Sequence, residues 1–313
     1  MDIFSDSGEL YTIRNQFHTY QHNKVIQYDL NSFSPDVQLK VLEYQIRSTI
    51  ALEQDASNLI ENGKSLFPDS EELFQLLSAW NDLKDFGTDD STYFEDIKEG
   101  KFELQAILTT LYLIKFEKDI DQAIVFLSSY INSVNTLKKY NELEPFLILI
   151  QLYLIKGNLK MAINIFENLK KDFPDSARDS TIYQVFESWI LSIKNETDNI
   201  NNSYYFYDEI LASDFGDDSE PKGKFKILNV LLVLTLQLRH VPEAQELIEQ
   251  MKSLNVVDDN FIANQITLKN ILGDDTNDLI SQLRKLNPEH DLIKDLDAKE
   301  LIFDEIATKY KSV

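Results

Sequence analysis

The clearest pattern of apolar and polar positions lies in residues 145–174, PFLILIQLYLIKGNLKMAINIFENLKKDFP. An almost continuous apolar run predicts a first helix, Gly157 predicts a turn, and apolar residues three and four positions apart predict an amphipathic second helix. Ala162 is small enough to let the two helices approach closely. Phe166, one turn later, would fill the space between them, and Pro174 would end the second helix. The segment therefore predicts a pair of packed helices.

The same arrangement recurs along the chain. Five positions of the pair have the spacing of a tetratricopeptide repeat: Tyr153, Gly157, Ala162, Phe166 and Pro174. Small residues that open an equivalent second helix are 39, 41 and 41 positions apart, namely Ala123, Ala162, Ser203 and Ala244. Because the usual repeat has about 34 residues, these units need longer helices or turns, and residues 195–202 are one such insertion. We therefore predict an all-α, tetratricopeptide-like solenoid of helical pairs with a C-terminal capping helix.

These patterns predict a single α-solenoid domain over residues 1–313. Its repeats are irregular over residues 9–100 and clearer over residues 101–272, and residues 276–313 suit a C-terminal cap. In the irregular part, residues 10–30 predict a helical pair with a turn near Tyr20-Gln21, and residues 37–52 and 56–66 predict a second pair. The apolar positions of the last predicted helix are Leu296, Leu301, Ile302, Ile306 and Tyr310.

Eight glycines and seven prolines punctuate the chain, and most intervals between them hold one or two helices. We take these residues, Gly63 among them, as helix breakers. Polar stretches at 87–91, 195–202, 213–219 and 273–278 are predicted to be short loops. So few glycines and prolines are typical of long helices joined by short turns.

Composition excludes several classes of site. Apolar residues make up 43% of the chain, which suffices for a large core, and there is no cysteine. The absence of cysteine excludes a disulfide framework, a thiolate zinc site and a cysteine nucleophile.

The formal net charge is −23, which disfavours nucleic acid and anionic membrane surfaces as partners. A simpler interpretation is that the acidic surface only aids solubility. The N-terminus does not resemble a signal peptide, and the longest apolar runs, residues 146–155 and 227–238, are shorter than the ~20 residues that span a bilayer.

Candidate chemistry is sparse. The four histidines are His18, His22, His240 and His290. His18 and His22 could share a helix face, but no third metal ligand lies near them in the sequence. Paired acids occur where they can cap helices or remain solvated. We therefore predict no catalytic residue, no cofactor site, no metal site and no enzyme activity.

The inner face of the solenoid remains as a binding surface. In a solenoid of helical pairs the first helix of each pair lines that face. These first helices are apolar on more than one side, so they are either deeply buried or covered by a partner, and the pattern leaves both open. The partner-binding candidates are Leu108, Tyr112, Leu147, Gln151, Leu154, Ile155, Val233 and Leu236.

The two ends of the chain carry a resemblance. Near the N-terminus the matching positions are Glu9, Leu10, Tyr11, Ile13, Arg14, Asn15 and Phe17. Near the C-terminus they are His290, Ile293, Lys294, Ala298, Lys299, Glu300, Phe303 and Asp304. With these positions the chain resembles the epsilon subunits of coatomer, the COPI vesicle coat, in their fungal form.

The resemblance implies a solenoid curled around the C-terminal domain of the alpha coatomer subunit within the heptameric coat. It implies that the chain stabilises that subunit and supports Golgi-to-ER retrograde and intra-Golgi transport. The implied location is the cytoplasm and, peripherally, Golgi membranes and COPI vesicles. No small-molecule substrate, nucleic acid or direct membrane insertion is implied, and the family has no catalytic residues to transfer.

One alternative is a tetratricopeptide-type co-chaperone or another peptide-binding adaptor. Such a clamp grips a peptide carboxylate with lysine or arginine on its inner face. Only Lys115 and Lys156 stand near suitable positions. An enzyme built on a helical array would need a convergent polar constellation, and the sequence shows none.

Overall fold

The computed structural model describes residues 8–87, 92–134, 143–173, 175–215 and 220–310. Within these ranges the regular elements are helices, without a strand, packed as consecutive pairs, which confirms the predicted all-α solenoid class. The α-helices are α1 (Tyr11–His18), α2 (His22–Val25), α3 (Pro35–Ala51), α4 (Ser57–Leu66), α5 (Glu71–Phe86), α6 (Glu103–Lys115), α7 (Ile120–Ser133), α8 (Glu144–Ile155), α9 (Leu159–Asp172), α10 (Thr181–Lys194), α11 (Thr197–Asp214), α12 (Pro221–Leu238), α13 (Val241–Ser253), α14 (Asp259–Leu272), α15 (Asn277–Leu286) and α16 (Asp291–Tyr310).

The four predicted small positions are buried in four helix pairs. Each lies on the second helix of its pair, respectively α7, α9, α11 and α13, and each is fully buried: Ala123, Ala162, Ser203 and Ala244. Ser203 Oγ lies 3.0 Å from the carbonyl oxygen of Ser188 on α10, so the two helices come close at this point. The residue one turn later is also buried in every pair: Leu127, Phe166, Tyr207 and Ile248.

Each of these pairs turns through one residue in the left-handed backbone region. The residues are Lys118, Gly157, Asn195 and Arg239, with φ of 56°, 69°, 55° and 58°. Three of them stand five positions before the small residue, and Asn195 stands eight positions before Ser203. The insertion predicted in this pair is therefore three residues long.

The predicted loop over residues 195–202 is wrong. Helix α11 already begins at Thr197, and only Asn195 and Glu196 separate it from α10. The inserted residues lengthen a helix because buried Ile200 and Ser203 face the core three positions apart, as helical periodicity allows. Pro174, residues 88–91 and residues 216–219, which were also predicted to break helices or form loops, lie outside the described residues.

Gly63 is not a helix breaker, contrary to the prediction. It lies inside α4, and a Cβ atom added there would collide with the ring of Phe74 on α5 and approach Leu42 Cδ2 to 3.0 Å. Glycine is required here by the close approach of the helices. The prolines fit the prediction better, because Pro35, Pro145, Pro221 and Pro242 each stand in the first turn of a helix.

The chain divides into two compact units. The first comprises Met1–Phe206 with Asp217–Gly223, and the second comprises Tyr207–Gly216 with Lys224–Val313. The first unit has a continuous core that includes Ile46, Leu77, Ile107, Leu149 and Phe186. In the second unit, Ile266, Leu283 and Ile293 form a core cluster between α14, α15 and α16. The single domain over residues 1–313 and its internal boundaries stay a prediction.

Candidate partner-binding surface

Four of the predicted inner-face residues lie on α8, in the first unit. Gln151 and Ile155 are exposed, and Leu147 and Leu154 are half-buried. The side chain of Ile155 is 59% exposed although it ends the most apolar helix of the repeat region. This side of α8 therefore presents an apolar surface with one amide in it.

The other predicted residues divide by burial. Leu108 and Tyr112 on α6 are buried in the core of the first unit, where the Tyr112 hydroxyl donates to Glu117 Oε1 at 2.8 Å. On α12, Leu236 is buried and Val233 is exposed. Contact with a partner stays a prediction for all eight residues, and the exposed side chains among them are Gln151, Ile155 and Val233.

A separate groove of about 390 Å³, with both polar and apolar lining residues, lies between α7, α8 and α9. From α8 it is lined by Phe146, Leu149 and Tyr153. By helical periodicity these residues stand on the opposite side of α8 from Gln151 and Ile155. A partner on the predicted inner face would therefore not enter this groove.

The chain's own N-terminal segment, residues 10–28, packs on several of the first helices. The ring of Phe17 lies 5.0 Å from that of Tyr44 on α3, with the guanidinium of Arg47 4.5 Å from the Phe17 ring centre. Thr181 Oγ1, at the first residue of α10, donates to Asn15 Oδ1 at 2.8 Å. Sequence reasoning predicted the helical pair α1–α2 and its turn but not these contacts.

Helix α2 is fixed by a buried carboxylate. The backbone N–H of Lys24 donates to Glu220 Oε1 at 2.9 Å, and Asn23 Nδ2 donates to Glu220 Oε2 at 3.0 Å. Burial raises the pKa of Glu220, and these hydrogen bonds act in the opposite direction. At the end of the segment, Gln45 Nε2 on α3 donates to the carbonyl oxygen of Tyr28 at 2.8 Å. The N-terminal segment is therefore tied to the beginning and to the end of the first unit.

An ionic cluster lies beneath this segment and joins α3, α6 and α8. Lys40 Nζ lies 2.8 Å from Glu43 and 3.8 Å from Glu103, and Arg47 Nη1 lies 3.3 Å from Glu43 and 3.1 Å from Glu144 Oε2. Burial is the largest influence on Glu144 and by itself would raise its pKa, but the charge and hydrogen bond of Arg47, together with the charges of His18 and Lys40, outweigh it and lower that pKa. For Lys40, burial opposes the charged form, while Glu43 and Glu103 raise its pKa above the ordinary value.

His18, at the end of α1, is half-buried beside this cluster, and its buried Nε2 atom has no hydrogen-bond partner among the described residues. Burial lowers the pKa of His18 to about 3, so the ring is neutral at physiological pH. His22 Nδ1 lies 3.1 Å from Ser48 Oγ. Among the described residues no group of three or more potential ligands could hold a metal ion. Chemically, the cluster and the histidine hold helices together.

In the part of the chain that the structure describes, no helix combines the length and the apolar character that crossing a membrane requires.

Two comparisons with known proteins agree. The sequence model of the coatomer epsilon subunit family matches residues 117–311. The chain is also 26% identical, over 319 aligned residues, to a protein of Saccharomyces cerevisiae described as coatomer subunit epsilon, and the alignment covers 96% of this chain and 98% of that one. The family match includes more than half of the chain, and the second alignment covers nearly all of it.

Proposed function

The chain belongs to the coatomer epsilon subunit family, and on that premise we propose that it is a non-catalytic subunit of the COPI coat that binds and stabilises the C-terminal domain of the alpha coatomer subunit. The match of the family over residues 117–311 is the observation that carries this proposal. The alignment with the yeast protein over nearly the whole of both chains supports it.

We place the chain in the cytoplasm and, within the heptameric coat, on the surface of Golgi membranes and COPI vesicles, in Golgi-to-ER retrograde and intra-Golgi transport. A net charge of −23 would be repelled by an anionic cytoplasmic leaflet. Other members of the coat would therefore bring it to the membrane. The proposal includes no nucleic acid, no small-molecule substrate and no membrane insertion.

The binding surface proposed for the alpha subunit is the exposed side of the first helices. On α8 it consists of Gln151 and Ile155 with the half-buried Leu147 and Leu154 beside them. A separate candidate contact, in the second unit, is Val233 on α12. Because single exposed apolar side chains are common on protein surfaces, this contact is proposed from the family membership, and the exposed residues of the first helices only indicate where it would lie.

Co-expression with the C-terminal domain of the alpha subunit tests the proposal. We expect the two chains to co-elute on gel filtration, and we expect Ile155→Glu to weaken the complex at least tenfold because a carboxylate would be desolvated in the interface. Val125→Glu is the matched control, since Val125 is 69% exposed but lies on α7, the second helix of its pair. If the two wild-type chains elute separately, the proposed binding to the alpha subunit is wrong. If Ile155→Glu and Val125→Glu weaken the complex equally, the proposed location of the contact on α8 is wrong.

The co-chaperone or adaptor alternative gains no support from the geometry. A carboxylate clamp needs available cations, and Lys156 Nζ lies 2.9 Å from Asp121 Oδ2 on α7. The exposed residues that surround it on α8 are a glutamine and an isoleucine, Gln151 and Ile155.

A further inference from the structure

The last three turns of α16 expose a row of large apolar side chains. The first part of this helix packs on the rest of the second unit: Ile293 is buried against the α14 and α15 residues Ile266 and Leu283, and Asp297 pairs with Arg284 on α15 at 2.7 Å. Farther along, the exposed fractions are 56% for Ile302, 70% for Phe303, 49% for Ile306 and 79% for Tyr310. The predicted cap would turn a polar side outward, but these residues are exposed.

Helical periodicity places these four residues on one side of α16. At 100° per residue they fall within a sector of about 100°, whereas Leu301, also exposed, lies on the other side. We call Ile302, Phe303, Ile306 and Tyr310 the C-terminal stripe. Together they present on the order of 500 Å² of mainly apolar surface, which reaches the size of the patches that mark interaction sites on monomers.

Charged residues border the stripe and define what can cover it. Glu300 and Asp304 follow one edge, and Glu305 and Lys309 follow the other. Lys299, which lies within the stripe's sector, is paired with Asp295 Oδ2 at 2.5 Å, so its charge is balanced within the helix. The border is therefore mainly acidic.

The stripe could be covered by a second copy of the chain, by a membrane or by a groove on another protein, and the acidic border argues against the first two. A second copy of the chain would bring another −23 charge toward the same acidic border. An anionic membrane would repel it as well. A protein groove that is apolar inside and carries lysine or arginine at its edges matches both the stripe and its border.

We propose that the C-terminal stripe docks, as an amphipathic helix, into an apolar groove with a basic edge on another subunit of the assembled coat. Ile302, Ile306 and Tyr310 recur every four residues, the spacing with which one face of a helix fills a groove, and Phe303 broadens the contact. This inference rests on the proposed coat membership and adds a second surface, in the second unit, to the inner-face contact proposed for α8.

Hydrogen exchange in the isolated full-length chain and in the purified complete coat tests the docking without any substitution. We expect amides of residues 298–310 to exchange at least tenfold more slowly in the coat. Equal rates in the two samples would overturn the proposal. A chain that is missing from the purified coat would overturn it too.

Photocrosslinking identifies what contacts the C-terminal stripe. The same coat is incubated with phosphatidylcholine–phosphatidylserine vesicles and carries benzoylphenylalanine at position 303 or, as the matched control, at position 301 on the opposite side of α16. We expect a strong crosslink from position 303 to an apolar peptide of another subunit that is flanked by lysine or arginine, and a several-fold weaker one from position 301. A crosslink to a second copy, to phosphatidylcholine–phosphatidylserine vesicles, or with equal yield from both positions would contradict the proposal.

Charge reversal on the border supplies a third readout. We expect Glu300→Lys with Asp304→Lys to raise the exchange rate of residues 298–310 in the coat several-fold, because these positions would then repel the basic edge. An unchanged exchange rate would show that the groove has no basic edge. Failure of this proposal and of the inner-face proposal can be told apart, since the latter is measured by Ile155→Glu and by co-elution with the C-terminal domain of the alpha subunit.

Discussion

Arg47 on α3 forms a buried ion pair with Glu144, the first residue of α8. Their side chains are only 8% and 14% exposed, and Arg47 Nη1 lies 3.1 Å from Glu144 Oε2. The same guanidinium lies over the ring of Phe17 in the N-terminal segment. One side chain therefore links three parts of the first unit that are far apart in the sequence.

The first prediction concerns this pair. We expect Glu144→Leu to lower the free energy of unfolding by about 3 kcal/mol, because it leaves Arg47 buried with a single remaining carboxylate, Glu43. Arg47→Leu should cost about as much, and the double variant should be less destabilised than the sum of the two by about 2 kcal/mol or more. Urea unfolding followed by tryptophan fluorescence measures this, because the chain's two tryptophans, Trp80 and Trp189, lie in the first unit.

The exposed pair of Lys64 and Glu61 on α4 is the control. Its side chains are 41% and 69% exposed, so Lys64→Leu should change the free energy of unfolding by less than about 1 kcal/mol. Additive effects of the two substitutions at Arg47 and Glu144 would show that the buried pair contributes nothing beyond its separate residues.

The second prediction concerns pH and His18. Its pKa is about 3 in the folded chain and 6.5 in the unfolded one, so between these values the unfolded chain binds a proton that the folded chain does not. Stability should therefore be lost as the pH falls below about 6.5, with His18 contributing up to about 1.4 kcal/mol per pH unit. His18→Phe should remove this contribution and make the free energy of unfolding less dependent on pH between 7.5 and 5.

The substitution at His18 keeps a ring of similar size and removes an Nε2 atom that has no hydrogen-bond partner among the described residues. The control is His240→Phe, because His240 is exposed. This control should leave the slope of the wild-type chain unchanged. If the free energy of unfolding of His18→Phe changes with pH as steeply as that of the wild type, the neutral His18 ring is not the cause of the pH dependence.

The sequence could predict the features that depend on neighbouring residues within one helical pair. Ala123, Ala162, Ser203 and Ala244 revealed the repeat because they recur 39, 41 and 41 positions apart, a spacing that is readable along the chain. The contacts of the N-terminal segment could not be predicted in this way. They join Asn15 to Thr181 and Lys24 to Glu220, residues 166 and 196 positions apart, and no local periodicity connects such pairs.

The candidate surface shows the same limit. Helix α6 is apolar on more than one side, so its pattern could not decide which residues fill the core, and Leu108 and Tyr112 are buried. The C-terminal stripe is apolar at helical spacing just as a buried face is. The stripe is exposed because the second half of α16 extends beyond its contacts with α14 and α15, and the extent of those contacts is set by tertiary packing.

The third prediction tests the small position of the repeat. We expect Ala162→Leu to lower the free energy of unfolding by about 1–3 kcal/mol or more, because Ala162 is fully buried between α8 and α9 and the larger side chain would force the helices apart. The same substitution at Ala212, which is exposed on α11, should stay within about 0.5 kcal/mol of the wild type. Circular dichroism during thermal unfolding compares the two, and equal melting temperatures would contradict the repeat packing.

The last prediction concerns Gly63, where the usual effect of replacing glycine should be reversed. Glycine to alanine in an open helix stabilises by about 1 kcal/mol. At position 63 the new methyl group would collide with the ring of Phe74, which is buried and cannot easily move, so we expect Gly63→Ala to destabilise by about 1–3 kcal/mol. Asn62→Ala, at the exposed neighbouring position, should instead stabilise slightly.

A double variant separates the collision from any other cause. Phe74→Leu alone leaves a void and should destabilise, but combined with Gly63→Ala it provides room for the added methyl group. The loss in free energy of unfolding should then be smaller than the sum of the two single losses by at least about 0.5 kcal/mol. Urea unfolding followed by tryptophan fluorescence measures all three variants. Strict additivity would mean that the approach of α4 to α5 is not what requires glycine at this position.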